Sequence, residues 1–153
     1  MDLEKLLSFY QKAALNTYIG GGEYEKTPER EGFFELTFNE GDWSYRDSYA
    51  GDALSFGTET IKYQNKFVWC SQYYGGMAPG KESLSERTFN FLKTSMRQKP
   101  TEFSARGPSQ YTEEDWEYNY VQDGNIESYR GLEIIKYKGE IVFEYKINGG
   151  LIT

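Results

Sequence analysis

The segment GTETIKYQNKFVW, residues 57–69, has a close counterpart in GLEIIKYKGEIVF, residues 131–143. In both, apolar and polar residues alternate on either side of a short polar dipeptide, a pattern typical of two strands joined by a tight turn. Asn65 and Gly139 tolerate the positive φ that two-residue hairpin turns require. The sequence therefore predicts the same β-hairpin twice.

The similarity continues on both sides of these hairpins. FNEGDWSY, residues 38–45, aligns with YTEEDWEY, residues 111–118, and Gly75 aligns with Gly149. From Phe38 to Met77, thirteen of forty positions are identical in the two copies, whereas about three would agree by chance. An internal duplication is the simplest interpretation.

A helix is predicted before each copy. The first would end at Gly20–Gly22, and the second would begin at Ser83 with a capping box closed by Glu86 and would end at Pro100. Apolar residues recur at helical spacing in both segments: Leu3, Leu6, Leu7, Tyr10, Ala13 and Ala14 in the first, and Phe89, Leu92 and Met96 in the second.

These patterns predict an α+β fold in which a helix followed by an antiparallel β-meander occurs twice. We expect one pseudo-two-fold domain covering residues 1–153, with repeats at about 1–80 and 81–153. Alternation beyond the hairpin turns predicts that one face of the strands forms the core, and that its members are Phe67, Trp69 and Tyr73 together with Ile141, Phe143 and Ile147. Cys70, on the other face, is expected to be partly exposed.

Composition limits the function. A net charge of −7 and a pI near 4.8 oppose direct binding to nucleic acid. The segment at residues 1–18 lacks the uninterrupted apolar run of a signal peptide, and no apolar run reaches membrane-spanning length, so a cytoplasmic location is expected and a membrane partner is not. The lone Cys70 and the absence of His predict no disulfide, no metal site and no cofactor, and leave a paired-carboxylate hydrolase as the main enzymatic possibility.

The stretch GDWSYRDSYAG, residues 41–51, contains the strongest candidates for a binding site. Its Asp-Trp pair is present in both copies and is interpreted as scaffold, whereas Arg46, Asp47 and Tyr49 are found in the first copy alone. An Arg and an Asp beside a Tyr favour a site that clamps a polar or anionic group. The alternative is a solvated strand edge with a surface ion pair.

Other residues extend this hypothesis. Tyr18, Trp69 and Tyr74 are candidates to line the same groove, and Arg106 is a candidate because it has no polar counterpart in the first copy. The alternative for Arg106 is turn chemistry around the Gly-Pro that follows it. The duplicated Glu59 and Glu133 are interpreted as structural because both copies retain them.

A resemblance to a known family rests on several motifs that occur together in this chain: TYIGGGE, EGDWSYRDSYAG, FGTE, YYGG, RGP and NGGLI. The chain resembles an uncharacterised bacterial family of domains of unknown function across nearly its whole length, and YRDSYAG is the most specific part of the resemblance. Members of that family occur alone or after an N-terminal helix-turn-helix of the xenobiotic-response-element type. The resemblance implies a module of the kind that senses effectors, and it names no catalytic residue.

Two functions therefore remain open. The first is a binding or sensor module that recognises a small polar or anionic ligand. The second is an acidic protein-interaction module, antitoxin-like or adaptor, whose negative charge complements a basic partner. Neither the ligand nor the oligomeric state follows from the sequence.

Overall fold

The structure is a computed structural model that describes residues 1–98 and 102–153. Within them, two α-helices lie against an eight-stranded antiparallel sheet. The helices are α1 (Leu3–Asn16) and α2 (Ser85–Arg97), and the strands are β1 (Phe34–Glu40), β2 (Trp43–Gly51), β3 (Leu54–Tyr63), β4 (Lys66–Met77), β5 (Gln110–Glu113), β6 (Trp116–Asn125), β7 (Ser128–Tyr137) and β8 (Glu140–Leu151). The predicted α+β class is confirmed.

The strand order is β1-β2-β3-β4-β8-β7-β6-β5, so each half of the chain forms a meander of four strands. The two meanders meet where β4 pairs with β8, and Tyr73 there lies opposite Ile147. In the same ladder Trp69 pairs with Leu151 and Met77 pairs with Phe143. Both meanders therefore belong to one continuous sheet.

The two predicted hairpin turns are confirmed. Each loop has two residues, Gln64 and Asn65 between β3 and β4, and Lys138 and Gly139 between β7 and β8. All four residues have positive φ values, between 49° and 79°. This geometry matches the right-handed twist of the flanking strands.

The predicted core face is only partly right. Trp69, Phe143 and Ile147 are buried, whereas Phe67 and Ile141 are 52% and 47% exposed. The reason is a bulge in each hairpin, because Ile61 pairs with Trp69 but the next residue of β3 pairs with Phe67. The extra residue reverses the alternation, which strict period-two reasoning does not anticipate. Cys70 is half-buried, as expected.

The helices begin and end differently from the prediction. Helix α1 ends at Asn16, before the glycines, and the side chain of Asp2 caps its N-terminus by accepting from the amide of Lys5. The capping box predicted at Ser83 is wrong, because a short 3-10 helix occupies Glu82–Leu84 and α2 starts one residue later. The predicted stop at Pro100 lies outside the described residues.

Both helices pack on the same face of the sheet, here called the inner face. The ring centroids of Phe9 in α1 and Trp43 in β2 are 5.4 Å apart, and those of Phe91 in α2 and Trp116 in β6 are also 5.4 Å apart. Such ring pairs supply much of the buried apolar area. Neither helix of the described residues is both long and apolar enough to cross a membrane.

Candidate functional site

A cavity of about 490 Å³ lies between the inner face and the two helices. Its volume falls within the range of roughly 300–1,000 Å³ that is usual for small-molecule sites. Aromatic rings supply much of its wall: Tyr10, Tyr18, Tyr24, Phe34, Tyr45, Tyr49, Tyr73, Phe89 and Tyr145. Its charged lining residues are Asp47, Asp52, Glu59, Lys93 and Arg106.

Both halves of the sheet contain a buried tyrosine that donates a hydrogen bond to a buried glutamate. Tyr45 on β2 donates to Glu59 on β3 across 2.6 Å, and Tyr118 on β6 donates to Glu133 on β7 across 2.7 Å. The registers also correspond, because the residue directly opposite each glutamate lies two places beyond its tyrosine. The two Tyr-Glu pairs differ in the further groups that contact each glutamate.

In the second half, Arg106 completes the pair. Its Nε lies 3.1 Å from both carboxylate oxygens of Glu133, and its Nη2 lies 2.9 Å from Oε2. Arg106 is 6% exposed and Glu133 is fully buried. Burial alone lowers the pKa of Arg106, but the adjacent Glu133 carboxylate raises it well above its ordinary value overall, so the ion pair persists.

The chain segment before β5 places Arg106 there. The amide of Gly107 donates to the Tyr118 hydroxyl across 2.9 Å, and the Gln122 side chain accepts from the amide of Ala105 across 3.0 Å. A Cβ at Gly107 would lie 2.8 Å from the Tyr118 hydroxyl. This close approach requires glycine and holds the neighbouring guanidinium over Glu133.

In the first half, Asp47 lies directly opposite Glu59, and no guanidinium of the described residues pairs with either. Asp47 and Glu59 are 5% and 7% exposed. Asp47 Oδ1 accepts a hydrogen bond from Tyr73 across 2.8 Å, and Glu59 Oε1 accepts from Tyr45. Over residues 1–98 and 102–153, neither carboxylate forms an ion pair, and Asp47 Oδ2 and Glu59 Oε2 accept no hydrogen bond.

This arrangement makes Asp47 a weak acid. Burial, followed by the negative charge of Glu59, raises the pKa of Asp47 from 3.8 to about 7. The hydrogen bond from Tyr73 and the charge of Arg106 oppose that rise without cancelling it. Asp47 is therefore close to half-protonated at neutral pH.

Three rings form an aromatic wall near solvent. The ring centroids of Phe34 and Tyr49 are 5.5 Å apart, those of Tyr24 and Phe34 are 5.9 Å apart, and the hydroxyls of Tyr24 and Tyr49 lie 2.6 Å apart. Tyr24 and Phe34 are each about half exposed. They form a half-open wall on which a ligand can stack.

The remaining charged groups sit at the margin of the cavity. Lys93 on α2 is half-buried with its Nζ 5.0 Å from the ring centroid of Tyr18, and Asp52 is exposed. Lys93 and Asp52 carry opposite charges, and the Arg106 charge is matched by Glu133. Asp47 and Glu59 therefore leave the cavity acidic.

Residues from the two meanders meet across the cavity. The hydroxyls of Ser55 in β3 and Tyr145 in β8 lie 2.5 Å apart. The ring centroids of Tyr73 in β4 and Tyr145 are 5.5 Å apart. The cavity thus spans the junction between β4 and β8.

The cavity brings together four of the seven residues predicted from the sequence, namely Asp47, Tyr49, Tyr18 and Arg106. Trp69 lies in the core instead, where its indole N–H donates to the carbonyl of Ile126 across 3.0 Å. Tyr74 is 62% exposed and lies opposite Phe56 on the outer face of the sheet.

Arg46 does not reach the cavity, because it precedes Asp47 on β2 and so points to the outer face. There it forms ion pairs with the fully buried Glu35 and with Glu29. Burial raises the pKa of Glu35, but the amide of Glu29, the Ser48 hydroxyl and Arg46 together lower it overall. Arg46 also lines a separate outer-face cavity of about 280 Å³.

Sequence reasoning missed Glu59 as a cavity residue. It treated every residue found in both copies as scaffold, and Glu59 matches Glu133. The informative signal was that Arg106 has no counterpart in the first half, so the glutamate there lacks its cation. Tyr24 and Phe34 carried no signal, because they lie outside the repeated segments.

The acidic residues of the described part of the chain do not form a metal centre. No group of three or more His, Cys, Asp or Glu side chains is arranged there to hold a metal ion. Two carboxylates among many rings suit an organic group better than a hard cation, which prefers at least six oxygen ligands.

The model of one protein family matches residues 47–152, more than two thirds of the chain. The chain belongs to the family described as Domain of unknown function (DUF5680). The DUF5680 match includes Asp47, Glu59, Arg106 and Glu133, and it excludes α1 and most of the aromatic wall. No curated protein and no solved structure matches the chain.

Proposed function

We propose that this protein is a binding module that holds a small molecule in the cavity between its inner face and its helices. The observation that carries the proposal is the cavity of about 490 Å³, which is lined by two buried carboxylates that each have one oxygen accepting no hydrogen bond from the described residues. Buried charges without partners are costly, so such groups are retained at sites of function more often than in scaffold.

The charges of the cavity favour a different ligand class from the one suggested by the sequence. An anionic ligand needs an available cation near the two acids, but Arg46 lies on the opposite face and the hydrogen bonds of Arg106 go to Glu133. Lys93 lies at the margin of the cavity, against the Tyr18 ring. Asp47 and Glu59 would repel an anion. A polar ligand remains in the proposal and an anionic one does not.

We also propose that the two halves arose by duplication. The β4–β8 ladder supports this, because it pairs Tyr73 with its own counterpart Ile147, and Trp69 and Met77 with the counterparts of each other. The two Tyr-Glu pairs support it as well. The resemblance to modules that follow a helix-turn-helix supports a sensor role, in which occupancy of the cavity is the signal.

The proposal is tested by native mass spectrometry of protein purified gently from its own host. A bound species of small-molecule mass is expected. Ala14→Phe, which places a ring into the cavity from α1, should abolish that adduct, whereas Leu15→Phe on the exposed side of the same helix should retain it. An adduct that persists in Ala14→Phe would remove the cavity as its binding site.

An acidic protein-interaction module is the second candidate. Leu54, Phe56 and Tyr74 are exposed on β3 and β4, and Phe56 and Tyr74 are cross-strand neighbours. An exposed apolar patch on a protein of net charge −7 fits a basic partner. This function predicts a bound protein chain in the same mass spectrum and an affinity that falls steeply with salt.

A paired-carboxylate hydrolase is the third candidate, because two acids converge on the cavity. Asp47, with its pKa near 7, would be the proton donor and Glu59 the base or nucleophile. Turnover of a substrate that stops in both Asp47→Asn and Glu59→Gln would establish this function in place of simple binding.

A further inference from the structure

We propose that the cavity binds a small organic cation, whose planar guanidinium or amidinium group pairs with Glu59 and Asp47 and whose body packs among the aromatic rings. This inference rests on the proposed function, because it names the ligand class of the same cavity. Four observations carry it, and each concerns a different property of the cavity.

The first observation is the occupied Tyr-Glu pair in the second half. Tyr118 and Glu133 are completed by the guanidinium of Arg106, which donates to both carboxylate oxygens. This fork geometry is the one in which a planar N–C–N cation matches a carboxylate. A guanidinium therefore neutralises the buried carboxylate of the Tyr118-Glu133 pair.

The second observation is the open pair in the first half. Tyr45 donates to one oxygen of Glu59 at nearly the same distance as in the second half, which leaves Oε2 available. No part of the described chain occupies the position that Arg106 takes beside Glu133. Glu59 lines the cavity instead.

The third observation is the second carboxylate. Asp47 takes the position that Tyr120 occupies in the other half, directly opposite the glutamate. Like charges placed opposite each other destabilise a sheet. A cation between them removes the repulsion, because one planar group can donate to both Oδ2 of Asp47 and Oε2 of Glu59.

The fourth observation is the aromatic content of the walls. The Arg106 guanidinium already lies over the Tyr145 ring, with its Cζ 5.6 Å from the centroid, and Tyr145 also lines the cavity. The faces of aromatic rings attract cations. Tyr24, Phe34 and Tyr49 extend the same kind of surface toward solvent.

Three probes of nearly the same shape test the inference: benzamidinium, benzamide and benzoate, which are cationic, neutral and anionic. Each is titrated into the full-length protein at pH 8, where Asp47 is mostly ionised, and binding is followed by calorimetry and by backbone amide chemical shifts. We expect benzamidinium to bind at least about tenfold more tightly than benzamide, and benzoate to bind most weakly. The largest shifts should fall in β2 and β3.

Variants of matched size test whether benzamidinium contacts Glu59 and Asp47. Glu59→Gln and Asp47→Asn keep the size of each side chain and the acceptor for its tyrosine, and each should weaken benzamidinium by at least about tenfold. Asp123→Asn removes one exposed acid and should leave that affinity unchanged. Amide spectra of all three variants establish that the fold is retained.

The outcomes separate this inference from the proposed function. If benzamide or benzoate binds in the cavity as tightly as benzamidinium, the inference that the ligand is a cation is wrong, whereas the proposed binding function is retained. The inference of a cationic ligand is also wrong if benzamidinium fails to bind at millimolar concentration, or if it binds equally well to Glu59→Gln. The proposed function itself fails if the native protein carries no small molecule that Ala14→Phe displaces.

Discussion

Asp47 and Glu59 lie directly opposite each other on neighbouring strands, both more than nine-tenths buried and neither paired with a cation within the described residues. Tyrosine hydroxyls satisfy one oxygen of each, and the other oxygen of each remains available to the cavity. In the corresponding pair, Glu133 lies opposite Tyr120 and is neutralised by Arg106. Two similar glutamates thus differ in their surroundings, since Glu133 is paired with a cation and Glu59 is not within the described residues, and this difference is the basis for proposing Glu59 as a site residue.

Asp47→Asn should stabilise the protein at neutral pH. Because the pKa of Asp47 is about 7 when folded and near 4 when unfolded, the folded state binds more protons between these values. Stability contributed by this site is therefore present at pH 4 and lost as the pH rises to 7, at a cost of at most about 4 kcal/mol. Urea titrations at several pH values check this, and a wild type as stable as the variant at pH 7 would contradict it.

Cation binding should strengthen as the pH rises through about 7. The groups around Asp47 that bear on this titration are Glu59 on β3, Tyr73 on β4 and Arg106 before β5. Loss of the Asp47 proton creates the second negative charge that the ligand needs. Calorimetry with benzamidinium at pH 6 and pH 8 should show a several-fold gain in the wild type and almost none in Asp47→Asn.

Arg106→Ala should be strongly destabilising, because it leaves Glu133 buried without a cation. Breaking a buried ion pair in this way costs about 3–5 kcal/mol. Methylguanidinium should restore part of the loss by occupying the position that the Arg106 side chain leaves. The expected readout is a rise in Tm that is larger in the variant than in the wild type, whose cavity is proposed to bind the same cation beside Glu59. Ethylammonium, which cannot donate a planar fork, serves as the control cation.

Arg46→Ala should also destabilise the protein, through the outer face. Its partner Glu35 is fully buried, although Arg46 itself is 30% exposed on its side chain, so the expected cost is about 1–3 kcal/mol. Arg130→Ala breaks the fully surface-exposed pair with Asp123 and should cost less than about 1 kcal/mol. Equal losses in the two variants, measured by urea unfolding, would contradict the structural role of Arg46.

The sequence predicts much of the fold, because its strongest signals are local. Turn chemistry at Asn65 and Gly139 and the apolar stripe of α1 are short-range patterns, and the structure confirms both. The bulges that turn Phe67 outward depend on how two strands align, which no single strand encodes. Because the bulges could not be predicted from single strands, the predicted core face was only partly right.

The candidate site was less predictable, for a related reason. Arg46 and Asp47 are neighbours in sequence, but alternation places them on opposite faces of the sheet. Conversely, Glu59 and Arg106 are far apart in sequence and both line one cavity. Whether a shared residue is scaffold depends on its surroundings. The sequence shows that Arg106 has no counterpart in the first half, but the structure is needed to show that Arg106 pairs with Glu133 and that Glu59 therefore lacks such a partner.

The hydroxyl contact between Ser55 and Tyr145 joins strands from the two meanders at the wall of the cavity. A molecule that fills the cavity would touch both meanders and would resist their separation along the β4–β8 junction. Occupancy would then be recorded as slower amide hydrogen exchange along that junction, including at residues beyond those that line the cavity. The ligand would thus provide a second link between two halves that, within the described residues, share a backbone ladder only at β4 and β8.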